Sequence, residues 1–269
     1  MQCFKNGEQV KEISLFDRAF HYGDGCFTTA CIRDGNMQLA ALHMARLEWS
    51  CEKLFLCADF AVIQQTIHRL NISQPANGTL KIVVSRGDGP RGYTLPQHPA
   101  DVWLFYYPAD VQDFRYQIIE SGVLLQRIGL MMPNLVGIKS LNRLEQVLLK
   151  HEADQQGWIE ALVCDVQDTV VEGVSSNCFI RINHTWITPQ LGYNGVHGVM
   201  RAEILRRMQQ QGIDCQQRSV TMDEIHHIES LFFCNVLHPM KMVAQFEQRN
   251  LDVQPCIDLF NHLHLNQIY

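Results

Sequence analysis

No run of apolar residues in this 269-residue chain approaches the length of a membrane span. The opening residues, Met1-Gln2-Cys3-Phe4-Lys5-Asn6-Gly7, lack the apolar stretch of a signal peptide, so a cytoplasmic protein is expected. Basic residues are not in excess: 22 Lys and Arg stand against 28 Asp and Glu, a formal net charge of −6. With no Lys/Arg cluster either, neither nucleic acid nor a membrane is an expected partner. Repeats and low-complexity segments are absent. The G-x-G-x-x-G fingerprint and the Walker-type loop are also missing, which removes the commonest dinucleotide and nucleoside-triphosphate sites. None of the ten cysteines forms a C-x-x-C pair, and most lie in apolar stretches, so no disulfide framework is expected. The twelve histidines include His226-His227 and His262-x-His264, but neither pair belongs to a spaced His/Cys/Glu set, and no metal is expected.

What is present is a globular composition, with 46% apolar and 19% charged residues. Residues 26–33 read as a strand, Asp34-Gly35 as a tight hairpin turn, and residues 37–40 as the return strand. Helical spacing follows over 41–56 and 61–70, then strands over 80–85 and 102–107. A polar segment opened by Pro108 suggests a boundary, giving an N-terminal domain over 1–108, a linker over 109–115 and a larger domain over 116–269. In the second domain the pattern predicts strands over 116–125, 161–166, 177–182, 219–221 and 231–235. Leu141, Leu144, Val147 and Leu148 mark one helix and residues 199–209 another. Strands and helices without regular βαβ alternation predict two α+β domains.

Four features bear on chemistry. Lys139 closes the apolar run Leu135-Val136-Gly137-Ile138 ahead of a helix, where partial desolvation favours the neutral, nucleophilic amine. Taken alone, a lysine there is more often a packed stem with its head in water. Glu172 sits between β-branched residues and a small-residue turn, either pointing from a sheet into a cleft or facing water from an edge strand. Gly195-Val196-His197-Gly198 leads into a helix whose first N–H groups, at Val199 and Met200, suit a phosphate. An ordinary loop-to-helix entry has the same pattern. Arg46 is a helical arginine, either exposed or offering a fork of donors to phosphate.

In their order along the chain these features closely resemble the branched-chain aminotransferase-like family of pyridoxal-phosphate enzymes, the class IV or fold-type IV group. The resemblance covers nearly the whole chain. Asp17-Arg18-Ala19-Phe20-His21-Tyr22-Gly23-Asp24-Gly25-Cys26-Phe27 is similar to the family's N-terminal signature, and His43-x-x-Arg46-Leu47 to its phosphate-arginine helix. Lys139 matches the Schiff-base lysine. Glu172-Gly173 with Ser176-Asn177-x-Phe179 matches the acid facing the pyridine nitrogen, and Gly198-Val199-Met200-Arg201 the phosphate-cradling helix start. The resemblance implies a two-domain fold-type IV architecture like that of D-amino acid aminotransferase, pyridoxal 5'-phosphate as cofactor, a small-molecule substrate and a homodimer. It implies Lys139 as the catalytic residue, with Glu172, Arg46, Val199, Met200 and Asn235 around the cofactor. Residues 23–29, 85–93 and 137–145 resemble an eliminating lyase of the group more than its transaminases for D-amino or branched-chain amino acids. A dicarboxylate substrate then makes Arg91, Arg143 and Thr29 the candidates for contact with it.

Overall fold

Stretches rich in Val, Ile, Thr and aromatic side chains fit a pleated, half-buried surface, and they supply the sheets of this protein. The computed structural model describes every residue except Ser73, Val111 and Gln112. It divides into two units, one of Met1–Gln112 with Ile138–Asn142 and Tyr269, the other of Asp113–Gly137 with Arg143–Ile268. The expected linker over 109–115 lies partly outside the described residues.

The first unit holds strands β1 (Gln2–Lys5), β2 (Glu8–Gln9), β3 (Gly25–Arg33), β4 (Asn36–Met37), β5 (Gly78–Ser85) and β6 (Asp101–Pro108). They form one antiparallel sheet in the order β2-β1-β6-β5-β3-β4. Helices α1 (Arg18–Tyr22), α2 (Ala40–Leu54) and α3 (Ala61–Leu70) complete the unit. Asp34 and Gly35 take the positive φ values of a tight hairpin turn, 48° and 78°. The expected return strand over 37–40 ends at Met37. Leu39 adopts left-handed backbone with φ 53°, which turns the chain into α2.

The second unit contains β7 (Gln117–Ser121), β8 (Val123–Ile128), β9 (Leu162–Asp165), β10 (Val170–Gly173), β11 (Asn177–Ile182), β12 (Thr185–Pro189), β13 (Cys215–Arg218), β14 (Ser230–Cys234), β15 (Lys241–Phe246) and β16 (Arg249–Asn250). Its helices are α4 (Leu144–Gln155), α5 (Val199–Gln210) and α6 (Gln254–His262). A small sheet runs β10-β9-β8. The larger one runs β13-β12-β11-β14-β15-β16, with β7 paired to β15. Residues 116–125 are therefore two strands rather than the one expected. The break falls at Gly122, where an added Cβ would lie 2.2 Å from the Trp158 ring, and the chain changes sheets there. The strand expected over 219–221 is instead β13, polar and parallel to β12. An edge strand held by backbone bonds needs no apolar alternation to form.

The core of the large sheet gathers Cys178, Ile180, Leu231, Phe233, Val243 and their neighbours. Leu149 and Ala153, one turn apart on α4, pack with Leu124, Val163 and Val171 of the small sheet. Three of the residues that marked this helix in the sequence are on its other side: Leu144, Val147 and Leu148 are 71%, 61% and 49% exposed. Leu141 lies outside the helix altogether. Among the described residues no helix is long and apolar enough to cross a membrane, and no group of three or more His, Cys, Asp or Glu is placed to hold a metal ion. All ten cysteines are free thiols.

Candidate active site

Lys139 belongs to Ile138–Asn142, the stretch that packs with the first unit although the chain on both sides of it is part of the second. The sequence had suggested a place in the C-terminal domain. Backbone bonding to the start of β3 explains the difference. The Lys139 carbonyl accepts from the Phe27 amide at 2.9 Å, Leu141 donates to the Gly25 carbonyl at 3.0 Å, and Ser140 bridges to Cys26. The half-buried Lys139 side chain lies across Phe27, with Nζ 4.8 Å from the ring centroid. Strand alternation sets Thr29 on the same face as Phe27 and Thr28 on the other.

That other face meets α2, whose inward residues include His43, Leu47 and Ser50. Arg46 Nη2 donates to Thr28 Oγ1 at 2.5 Å, and the same hydroxyl is 2.6 Å from His43 Nδ1. Burial, with the Arg46 cation beside it, pushes His43 down to about 3, so the imidazole is neutral. Arg46 also acts electrostatically on the buried Cys26 thiol, whose backbone pairs with Ser140. Arg91 is exposed, on a loop held by its neighbours' carbonyls: Arg18 Nη1 donates to Gly92 O at 2.7 Å and Pro90 O at 3.4 Å. Arg18 and Arg86 each place Nε 2.9 Å from Asp24 Oδ2. Arg86 further donates to the Leu54 and Phe55 carbonyls at the end of α2. Asp24, read in the sequence only as part of a signature, joins these two buried arginines.

In the second unit Glu172 sits on β10, at the edge of the small sheet, yet is only 8% exposed. It does not face water. Its Oε2 accepts from the Val196 amide at 3.0 Å and from Asn177 Nδ2 at 3.3 Å, and Asn177 Nδ2 also donates to the Val196 carbonyl. A side chain at Gly198 would put Cβ 1.8 Å from Asn177 Oδ1, so a larger residue there would displace the buried Asn177 amide. Gly198 is the N-cap of α5, no side chain caps the helix, and Val199 and Met200 form its buried first turn. Arg201 fixes that turn to β12 through Thr188 Oγ1 and the Pro189 carbonyl, both at 3.0 Å.

Arg143 is half-buried. Burial lowers its pKa, and Glu172 and then Glu145 oppose that shift. Asn235 is engaged at both ends of its amide. Oδ1 accepts from Leu237 and His238 amides, and Nδ2 donates to Ser176 Oγ at 3.1 Å. Sequence reasoning missed the buried Glu160 beneath this turn, which accepts from Ser175 N, both serine hydroxyls and Lys241 Nζ. It also missed the Thr28–His43 contact. The one available signal was His43-x-x-Arg46, a spacing that puts both side chains on neighbouring faces of a helix.

The profile of the amino-transferase class IV family matches residues 25–246. The chain belongs to the class IV aminotransferase family. It is 31% identical over 236 residues to an aminodeoxychorismate lyase of Vibrio harveyi, covering 86% of each chain. It is 26% identical over 245 residues to a D-alanine aminotransferase of Bacillus licheniformis, covering 86% of this chain and 83% of the relative. Among solved structures, the 4-amino-4-deoxychorismate lyase of Pseudomonas aeruginosa superposes with a TM-score of 0.86 at 32% identity, over 97% of this chain and 98% of that one. The branched-chain amino acid aminotransferase of Escherichia coli shares the fold at 19% identity, with a TM-score of 0.79 over 93% and 87% of the two chains. The architecture is thus the α+β fold-type IV arrangement that the motifs implied.

Proposed function

We propose that this class IV family member is a pyridoxal-phosphate-dependent aminodeoxychorismate lyase, converting 4-amino-4-deoxychorismate to 4-aminobenzoate and pyruvate on the route to folate. One observation carries the reading over a transaminase. Two lyases match the chain at 31% and 32% identity over most of their length, against 26% for the D-alanine aminotransferase.

The residues present fit the cofactor's three handles. Lys139 is an amine for its aldehyde, and the buried Glu172 a carboxylate for its ring nitrogen. For its phosphate the proposal assigns the guanidinium of Arg46 and the helix-start amides of Val199 and Met200. When bound, pyridoxal phosphate supplies a carbonyl that engages the substrate amine and a protonated ring that withdraws electrons from the neighbouring carbon. Lys139 would hold the cofactor through its side-chain amine and, as the general base, would take the proton from the substrate carbon that bears nitrogen. Glu172 would keep the cofactor's ring nitrogen protonated. The enolpyruvyl C–O bond breaks, the substrate ring becomes aromatic, and Lys139 returns a proton to the departing enolpyruvate. Arg143 and Thr29 are the substrate-facing candidates we retain, with Arg91 on its held loop. Asn235, whose amide also braces its own turn, is a further candidate for the phosphate.

The reaction type has a direct test. With aminodeoxychorismate alone the enzyme should turn over many times, releasing pyruvate and 4-aminobenzoate in equal amounts. In an elimination the amino group leaves on the aromatic product, so no keto acid is required. A single burst that resumes only when a keto acid is added would make the chain a transaminase for D-amino or branched-chain amino acids.

We also propose that the chain works as a homodimer, with α4 in the interface. Leu144, Val147 and Leu148 form an exposed apolar face on that helix, and single chains rarely leave such a patch to water. Sedimentation of the purified protein should give a mass of about two chains. A monomer at micromolar concentration would remove this part of the reading.

A further inference from the structure

We propose that His43 is a positioning residue for the cofactor phosphate, acting through Thr28 to hold Arg46 in its binding orientation. The inference rests on the reading above that Arg46 meets the phosphate.

The three side chains form a directed chain of hydrogen bonds. A guanidinium only donates, so the Thr28 oxygen must accept from Arg46 Nη2. The single Thr28 proton is then available to a neighbour. His43 Nδ1, at 2.6 Å, is that acceptor when the ring proton sits on Nε2. The imidazole is kept neutral by complete burial and by the nearby Arg46 charge, so Nδ1 retains its lone pair throughout the working pH range. Among the described residues His43 Nε2 is buried with no hydrogen-bond partner, and the ring's hydrogen bond is the one at Nδ1. A buried nitrogen left in that state is costly, and a phenylalanine would fill the space without the cost. The polar ring is explained by what Nδ1 does: it orients the Thr28 hydroxyl, whose lone pair then fixes one arm of Arg46. Three anchors set this geometry. Thr28 is on the nine-residue strand β3, while His43 and Arg46 stand three residues apart on α2. An arginine with one arm fixed loses less freedom when its remaining donors close on an anion.

The test is a binding measurement on the full chain freed of cofactor, titrated with pyridoxal phosphate and, separately, with pyridoxal. Arg46→Ala should weaken pyridoxal phosphate by about tenfold or more and leave pyridoxal unchanged. Thr28→Val and His43→Phe should each weaken pyridoxal phosphate by about three- to tenfold, again sparing pyridoxal, and should add little when combined with Arg46→Ala. Thr28→Ser and His43→Gln keep the hydroxyl and an acceptor and should restore most of the affinity. Wild-type affinity in Thr28→Val and His43→Phe, beside a weakened Arg46→Ala, overturns the positioning role and leaves Arg46 as the phosphate residue. Equal weakening of pyridoxal and its phosphate by His43→Phe also overturns it, since that marks a purely structural change. Unchanged phosphate selectivity in Arg46→Ala refutes the underlying reading of Arg46 itself. Should His43→Phe fail to fold, Thr28→Val and the two conservative variants decide the question alone.

Discussion

Lys139→Ala is expected to lower turnover by about 10³-fold or more, because in the proposed reaction one side chain would both anchor the cofactor and move the proton. The structure gives this expectation a local basis. The Lys139 carbonyl accepts from the Phe27 amide, the Leu141 amide donates to Gly25, and Lys139 Nζ lies over the Phe27 ring. Loss of the side chain beyond Cβ leaves those backbone bonds in place, so the variant should fold and melt like the parent. The covalent assignment has its own readout. Borohydride treatment of the yellow holoenzyme should add the reduced cofactor to the peptide that contains Lys139. Finding the adduct on Lys81, which also lies over Phe27 at 4.9 Å, or on any other lysine would end the assignment. Retention of a tenth of the activity in Lys139→Ala would mean that another base removes the proton.

Much of this site was legible because its motifs are local. The acid of residues 172–173, the glycine turn before α5 and the lysine ahead of α4 each occupy one short stretch of sequence. Their physical settings were less legible, for reasons that differ from residue to residue. Glu172 on an edge strand reads equally well as solvent-facing. What buries it is the turn carrying Val196, more than twenty residues away, and no periodicity reports such a pairing. The Lys139 segment packs with the first unit through β3, over a hundred residues earlier in the chain. In α4 the apolar pattern exists on both faces. Composition does not say that Leu149 and Ala153 face the sheet while Leu144, Val147 and Leu148 remain uncovered in the single chain. Elements with strong periodicity and clear boundaries fared better: residues 61–70 and 177–182 form α3 and β11 over the spans their pattern predicts.

Glu172→Gln is expected to leave the fold and cofactor affinity nearly intact while slowing turnover by about 10²-fold or more. The exchange keeps the shape of the side chain and an oxygen that accepts from the Val196 amide, so the turn leading to α5 should remain in place. What disappears is the negative charge. If Glu172 serves the cofactor's ring nitrogen as proposed, a neutral amide would not keep that nitrogen protonated, and the ring would withdraw electrons poorly. The size of the effect separates two roles for one carboxylate. If Glu172 serves only to bind Val196 and Asn177, glutamine substitutes for it and the rate stays within a few-fold of the parent. If its charge supports the chemistry, the rate falls while the melting temperature and the cofactor dissociation constant barely move. Glu172→Ala supplies the contrasting case. It removes both bonds to the turn, so it should lower the melting temperature as well as the rate. An unchanged rate in Glu172→Gln would confine the residue to holding the turn and would require another group to protonate the ring.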